Sequence, residues 1–410
     1  MDINKLLSVY RKASETEINR IKTHTIGALA KKRRKSLHMT QGEVADEICS
    51  VSYLSKVETN KIIPNERCVT ALMERVKISK WEIYTIENSK ELIELAIKSL
   101  LYNDKDEYKE LFERVESINT NQCADVIKIG YYLLNNDLDR AEELISENMI
   151  APSSMDKYVL SFYLYLSSLY FLKMGEYKDL EAVLNEEKSM YSNEDLMLLY
   201  DELSFSYYSQ VKRPVLAKEA YDHLISVYKD KMVYKKIDEL VINYSLFLLN
   251  ENEYHKAIEA LSLLRKEELL RNNPLYNYIL AKSYYMLNKK ISAKEYLDLI
   301  TPSSYYYQFV LDLKYNTTDN TDQLIEEVSN ALVDKPSFYL DYFLKSKAGL
   351  ISRKLFESKE YRDLYSSSDY YIREDMLLKE RQYLIDNKKY KDAIVIDKRI
   401  ERLSNEIKKE

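Results

Sequence analysis

The sequence predicts an all-α protein. Three observations carry that expectation: turn-forming residues are scarce, apolar residues recur at helical spacing, and one helix-pair pattern returns along most of the chain. Gly and Pro together number 11 in 410 residues, under 3% where average usage would give roughly 12%. Sandwiches, barrels and nucleotide-binding α/β folds use both residues at tight turns, phosphate loops and crossovers, so their scarcity points to helices joined by short polar turns.

The same composition excludes several classes. Cys49, Cys68 and Cys123 are too far apart in sequence to suggest a disulfide framework or a CxxC pair, which fits a reducing compartment. The charged N-terminus has no signal-like apolar core, and no run approaches the ~18 apolar residues of a membrane span. A cytoplasmic protein with no membrane partner is expected. His24, His38, His223 and His255 show no HExxH spacing, and neither a GxSxG elbow nor a Gly-rich phosphate loop is present. An enzyme, a cofactor or a metal site is therefore not expected.

Residues 1–23 form a plausible amphipathic helix ahead of the first domain. Charge then separates the chain into two parts. Residues 1–64 hold 12 Lys and Arg against 7 Asp and Glu, net +5, so the rest carries −11 toward the total of −6. A compact basic module attracts phosphate backbones and an acidic body repels them. The densest basic run is Lys31, Lys32, Arg33, Arg34 and Lys35.

Residues 24–77 read as one small domain. A helix from about Thr25 to Ser36 leads to Thr40 and Glu43, a capping box that opens a short helix running to about Ile48. Ser50 caps a second short helix, Val51 to about Glu58, and a further helix runs from Asn65 to about Val76. Two short helices joined this tightly make a helix-turn-helix. Its expected core is Ile26, Leu29, Leu37, Val44, Ala45, Ile48, Leu54, Val57, Val69 and Leu72.

The run TQGEVADEICSVSYLSKVETNKIIP resembles the helix-turn-helix of Xre/Cro-type regulators. Gln41, Ala45, Leu54, Ser55, Lys56, Glu58 and Pro64 fall on that family's signature positions. The usual Gly and one further residue between the helices are missing, replaced by Ile48, Cys49 and Ser50. This shortened form resembles the peptide-sensing regulators of Gram-positive bacteria, the Rgg/PlcR/NprR/PrgX group. Residues 78–88 are similar to that group's interdomain linker.

In such a domain the second short helix enters the major groove, where Ser52, Tyr53 and Lys56 would reach base edges and Val51 a thymine methyl. Tyr53 has packing on the core as its alternative. Lys32, Arg33, Gln41, Ser50, Asn60 and Lys61 would hold phosphates or brace the reading helix.

From residue 89 to 410 helix pairs alternate with polar turns. The motifs MGEYKDLEAVL, NENEYHKAIEALSLL, ESKEYRDLY and NKKYKDAIVI are typical. Their anchors are Ala141, Leu180, Ala217 or Ala220, Ala257 and Ala293, about 36 to 40 residues apart, with Leu364 and Ala393 following less regularly. The pattern resembles degenerate tetratricopeptide repeats, implying a right-handed helical-repeat superhelix with a concave wall. The Ala293 repeat reads as having a turn two residues shorter than the Ala257 repeat. The Tyr305-Tyr306-Tyr307 run reads as ordinary packing.

With Gly175 and Asn252 placed at turns, the register turns Tyr165, Gln210, Asn243, Asn250, Asn277, Tyr278 and Lys282 toward the groove. Asn amides there can clamp an extended peptide backbone, as the resembled group does, with plain hydration of a concave surface as the alternative for each residue. The resemblance thus implies a homodimeric transcription regulator that binds a double-stranded DNA operator. A short signalling peptide would shift the angle or spacing of its heads, acting through the bridge at Trp81 to Ile86. The charged end from Glu374 to Glu410 reads as a capping or dimerisation helix. Alternatives are a repeat scaffold for a response regulator or antirepressor, and a phage-type repressor that needs no ligand.

Overall fold

The computed structural model describes residues 26–59, 61–62, 64–78, 88–118, 121–148, 157–175, 177–184, 193–264, 270–368 and 370–408. The expected N-terminal helix, Asn60 and most of the bridge lie outside these residues, as do the side chains of Ile26, Leu29 and Lys32. Every regular element among the described residues is a helix. None of them is long and apolar enough to cross a membrane. The chain divides into two compact units, Met1–Ser204 and Phe205–Glu410.

The first unit begins with α1 (Ile26–Ser36), α2 (Gln41–Ala45), α3 (Val51–Glu58) and α4 (Glu66–Arg75). Local chemistry fixes these boundaries. The Thr40 hydroxyl accepts from the Glu43 amide while the Glu43 carboxylate accepts from the Thr40 amide. Ser50 caps α3 through the Tyr53 amide, and Asn65 caps α4 through the Cys68 amide. Helix α2 stops at Ala45 rather than near Ile48, because Glu47 turns left-handed at φ 59°. Losing the usual glycine has not removed the left-handed step: Glu47 takes it, at some cost in strain.

Val44, Ala45, Leu54, Val57 and Leu72 are buried as expected, joined by Ala30, Cys68, Met73, Val76 and Ile78. Ile48 and Val69 pack against this core half-buried. Leu37 does not join it. Lying just past the end of α1, this side chain is 38% exposed.

Six helices of the first unit then form pairs: α5 (Ser89–Leu101) with α6 (Lys105–Val115), α7 (Gln122–Leu134) with α8 (Leu138–Asn148), and α9 (Lys157–Met174) with α10 (Tyr177–Leu184). The boundary between the units falls inside α11 (Glu194–Gln210). The second unit continues with α12 (Pro214–Asp230), α13 (Tyr234–Asn250), α14 (Tyr254–Ser262), α15 (Pro274–Met286) and α16 (Lys290–Leu297). A 3₁₀ turn (Tyr305–Phe309) leads to α17 (Leu311–Thr317), α18 (Thr321–Asp334), α19 (Phe338–Lys347), α20 (Arg353–Phe356), α21 (Lys359–Ser367), α22 (Tyr370–Asp386) and α23 (Tyr390–Lys408).

One turn device serves nearly all the pairs. Asn103, Asn136, Gly175, Lys212, Asn252, Asn288 and Lys388 adopt positive φ between paired helices. Around Asn252, for example, its own amide donates to the Leu249 carbonyl and the Glu253 amide to that of Leu248. These two bonds close the helix end with a left-handed residue at C′. Five residues after each left-handed position comes a buried anchor, in order Tyr108, Ala141, Leu180, Ala217, Ala257, Ala293 and Ala393. The fixed offset selects Ala217 over the half-buried Ala220. It also corrects the expected short turn, since Glu251–Glu253 and Leu287–Lys289 have equal length. Leu364 has no such turn before it and is half-buried.

Tyr108 stands where the other pairs put a small or aliphatic residue. The room comes from α7: Gly130 faces the Tyr108 ring, and a Cβ there would collide with the phenol. The hydroxyl donates to the Ile127 carbonyl 3.2 Å away, so the buried group is satisfied.

Candidate functional site

Two sites emerge, one in each unit. In the first, the back of α3 is locked to the domain by a buried ion pair. The Arg34 guanidinium donates through Nε to Glu58 Oε1 at 2.6 Å and through Nη2 to Oε2 at 2.9 Å, while Nη1 donates to the Met39 carbonyl at 2.9 Å. Gln41 Nε2 completes the set with a 2.8 Å bond to Glu58 Oε2. Burial opposes the charge on Glu58, but Arg34 and Gln41 outweigh it and hold the carboxyl below its ordinary range. At 3% exposure Glu58 would be costly to leave unpaired.

This arrangement divides the basic run. Arg34 is consumed inside the domain. Arg33 turns partly inward, its Nη2 donating to the Lys77 carbonyl at 3.3 Å and its Nε buried, and Lys31 is half-buried with its charge felt at Glu58. Only Lys35 of the run is seen fully exposed among the described side chains. The bond from Gln41 to Glu58 ties α2 to the last turn of α3.

The front of α3 is open. Ser52, Lys56 and Lys61 are exposed, and Val51 at 48% exposure is an unusually bare apolar side chain for the start of a helix. Ser50 spends its hydroxyl oxygen on capping. Tyr53 takes its alternative and packs half-buried against the core. Position therefore separates Val51, Ser52 and Lys56, which can meet a partner, from Arg34, Gln41 and Tyr53, which hold the helix.

In the second unit a cavity of about 250 Å³ opens between α13, α15, the 3₁₀ turn, α19 and α22. Asn250, Tyr278 and Lys282 line it. Eight aromatic residues share the wall with charged and amide side chains: Tyr278 stacks on Tyr306 at 5.3 Å, and Phe309 meets Tyr339 edge-on at 5.0 Å. The Tyr339 hydroxyl donates to Asp375 at 2.6 Å, and Lys379 lies 3.7 Å from the same carboxylate and 5.1 Å from the Tyr342 ring. Burial and then Asp375 push the Tyr339 phenol well above its usual range, so it remains a donor. Lys282 donates to the Tyr278 hydroxyl at 3.2 Å. Burial opposes its charge, but Tyr278, Asp375 and Tyr254 raise its pKa overall.

Helix α22 closes this unit on itself. The Tyr371 hydroxyl lies 3.1 Å from the Ser209 carbonyl and 3.0 Å from Glu251, and Lys212 pairs with Glu374 at 3.2 Å. Tyr371 also lines the cavity.

The remaining groove residues are placed elsewhere. Tyr165, in the first unit, is buried between Phe162 and Tyr200. Asn277 is buried and donates to the Arg271 carbonyl at 2.8 Å. It sits on α15 next to Tyr278, and that one-residue step turns it away from the cavity. Asn243 is exposed and Gln210 half-buried, and neither lines the cavity. Sequence reasoning missed Tyr306, Phe309, Tyr339, Tyr342, Asp375 and Lys379. The available signals were the i, i+3 tyrosines of α19 and the i, i+4 charges of α22.

Residues 31–79 match the helix-turn-helix family. A relative that runs far into the repeats is the transcriptional activator NprA of Geobacillus stearothermophilus, 23% identical over 339 residues that span 73% of this chain and 81% of that protein. Among solved structures, PlcR of Bacillus thuringiensis in complex with the peptide PapR7 and DNA is similar at 15% identity. That match covers 67% of this chain and 99% of PlcR with a TM-score of 0.33. The domain match and the long relative bear out the resemblance to the Rgg/PlcR/NprR/PrgX group read from the sequence.

Proposed function

We propose that this chain is a cytoplasmic transcription regulator that reads an operator through α3 and binds a short signalling peptide in the cavity of its second unit. The observation that carries the reading is the two-faced state of α3. Its rear is fixed by Arg34, Glu58 and Gln41, while Val51, Ser52 and Lys56 are left open at the front. A helix held this way can present side chains to base edges without losing register.

Peptide binding is supported by a concave wall that sets aromatic rings beside amide and charged groups, which suits a ligand with both apolar side chains and a polar backbone. Asn250, Tyr278 and Lys282 are the contacts assigned to the peptide. As a homodimer the chain would set two heads on half-sites one helical turn, about 34–36 Å, apart. Peptide binding then changes operator affinity through its preference for one dimer shape, a coupling of typically ~1–3 kcal/mol. Catalysis has no part in this reading.

The test is selection of binding fragments from a random DNA pool by the intact protein. One recurrent sequence is expected. Salt-sensitive retention with no recurrent sequence would reject operator reading.

A further inference from the structure

Among the charged side chains lining the cavity, Lys282 differs from the rest. Asp375 receives the Tyr339 hydroxyl and lies beside Lys379, and Asp312 is paired with Lys347 at 2.9 Å. Lys282 has a phenol and no carboxylate within ion-pair distance among the described residues: its ammonium donates to the Tyr278 hydroxyl and lies 5.6 Å from that ring. An ammonium has three protons to donate, so its capacity toward an anion is largely unspent. Asn250, on the same cavity, likewise has an amide with no hydrogen-bond partner among the described residues. Beside these two polar groups the same wall offers the rings of Tyr278, Tyr306 and Phe309.

Resting on the peptide-binding reading, we propose that the cavity takes the C-terminal residue of the peptide: its free carboxylate on Lys282, its last amide on Asn250 and its apolar or aromatic side chain among Tyr278, Tyr306 and Phe309. Size and charge both favour an end over the middle of a chain. At about 250 Å³ the cavity falls below the roughly 300–1,000 Å³ of sites that enclose a whole drug-sized ligand. A terminal residue also brings an anion and an apolar side chain to the same place. An internal Asp or Glu would supply the anion without the apolar group. A second anion would meet Asp375, so one carboxylate is the expected limit.

The experiment uses two pools of heptapeptides with random sequence and Phe at the last position, one with free C-termini and one amidated. Each is passed over the immobilised intact protein, and retained peptide is measured by mass spectrometry. Retention of the free-acid pool at least tenfold above the amidated pool is expected for the natural sequence. In Lys282→Met that ratio should fall to near one, and in Lys282→Arg it should be largely kept. Equal retention of both pools by the natural sequence overturns the carboxylate anchor and leaves peptide binding standing. Retention of neither pool overturns the peptide reading itself. If the acid preference survives in Lys282→Met, the anchor is another cation and the assignment is wrong.

Discussion

The helix-turn-helix domain and the cavity of the second unit use the same side-chain chemistry to opposite ends. In the domain a cation is spent entirely inside the protein, with Arg34 giving both arms of its fork to Glu58 and a third bond to Met39. In the cavity Lys282 keeps most of its hydrogen-bonding capacity and Asn250 all of it. A fully satisfied buried charge holds a surface in place for a partner, whereas an incompletely satisfied one is itself a partner site. The difference teaches that a basic residue's role is set by what faces it. Density of charge in the sequence does not decide it.

Breaking the satisfied side should have the largest effect. Arg34→Ala leaves Glu58 buried and unpaired, a loss of roughly 3–5 kcal/mol. Urea unfolding should show the domain melting ahead of the repeats, and an unchanged profile would mean that the pair contributes no net stability.

Acid probes the same pair. The folded pKa of Glu58 is lowered, so its contribution is complete above the ordinary carboxylate range and disappears as pH falls through the depressed value. Unfolding followed between pH 7 and pH 2 should show a domain transition whose acid sensitivity is reduced in Glu58→Gln, the remainder coming from Glu43, also lowered by its bonds to Thr40.

On the open face, Ser52→Ala with Lys56→Ala should cost roughly 1–3 kcal/mol per base contact in operator binding and relax sequence preference there. A uniform loss across all DNA sequences would demote both residues to phosphate contacts. Ser50→Ala should lower domain stability by about 1 kcal/mol, because it removes the cap of α3. An effect of the same size is expected for Asn250→Ala, where one hydrogen bond of about 1 kcal/mol should weaken peptide retention severalfold and leave DNA binding by the peptide-free protein unchanged.

How much of this was legible follows the range of each interaction. Thr40, Glu43, Ser50 and Asn65 announce helix starts because a cap is made within three residues. Most repeat anchors are legible for the same reason, since the left-handed turn and the buried residue five positions later belong to one local unit; Tyr108 escaped because it is large, and Leu364 has no such turn before it. The role of Arg34 was not legible because its partner is 24 residues away, and only the fold shows that Glu58 arrives beside it. Leu37 was misplaced because an apolar residue beyond a helix end has no periodic face to follow. The groove suffered most. Tyr165 and Asn277 share residue types with Tyr278 and Asn250, yet only the second pair lines the cavity. A tyrosine that packs and one that lines a ligand site look identical until the neighbouring helices are placed.

The central claim is that reading and sensing are separate tasks given to separate units. The direct measurement is operator binding by the intact protein over a titration of the free-acid heptapeptide pool, run in parallel on Ser52→Ala/Lys56→Ala and on Lys282→Met. The account predicts that the natural sequence changes its operator affinity with peptide, that Lys282→Met binds operator normally but ignores peptide, and that the double variant retains peptide but loses the operator. A Lys282→Met protein whose DNA binding still follows the peptide would contradict it.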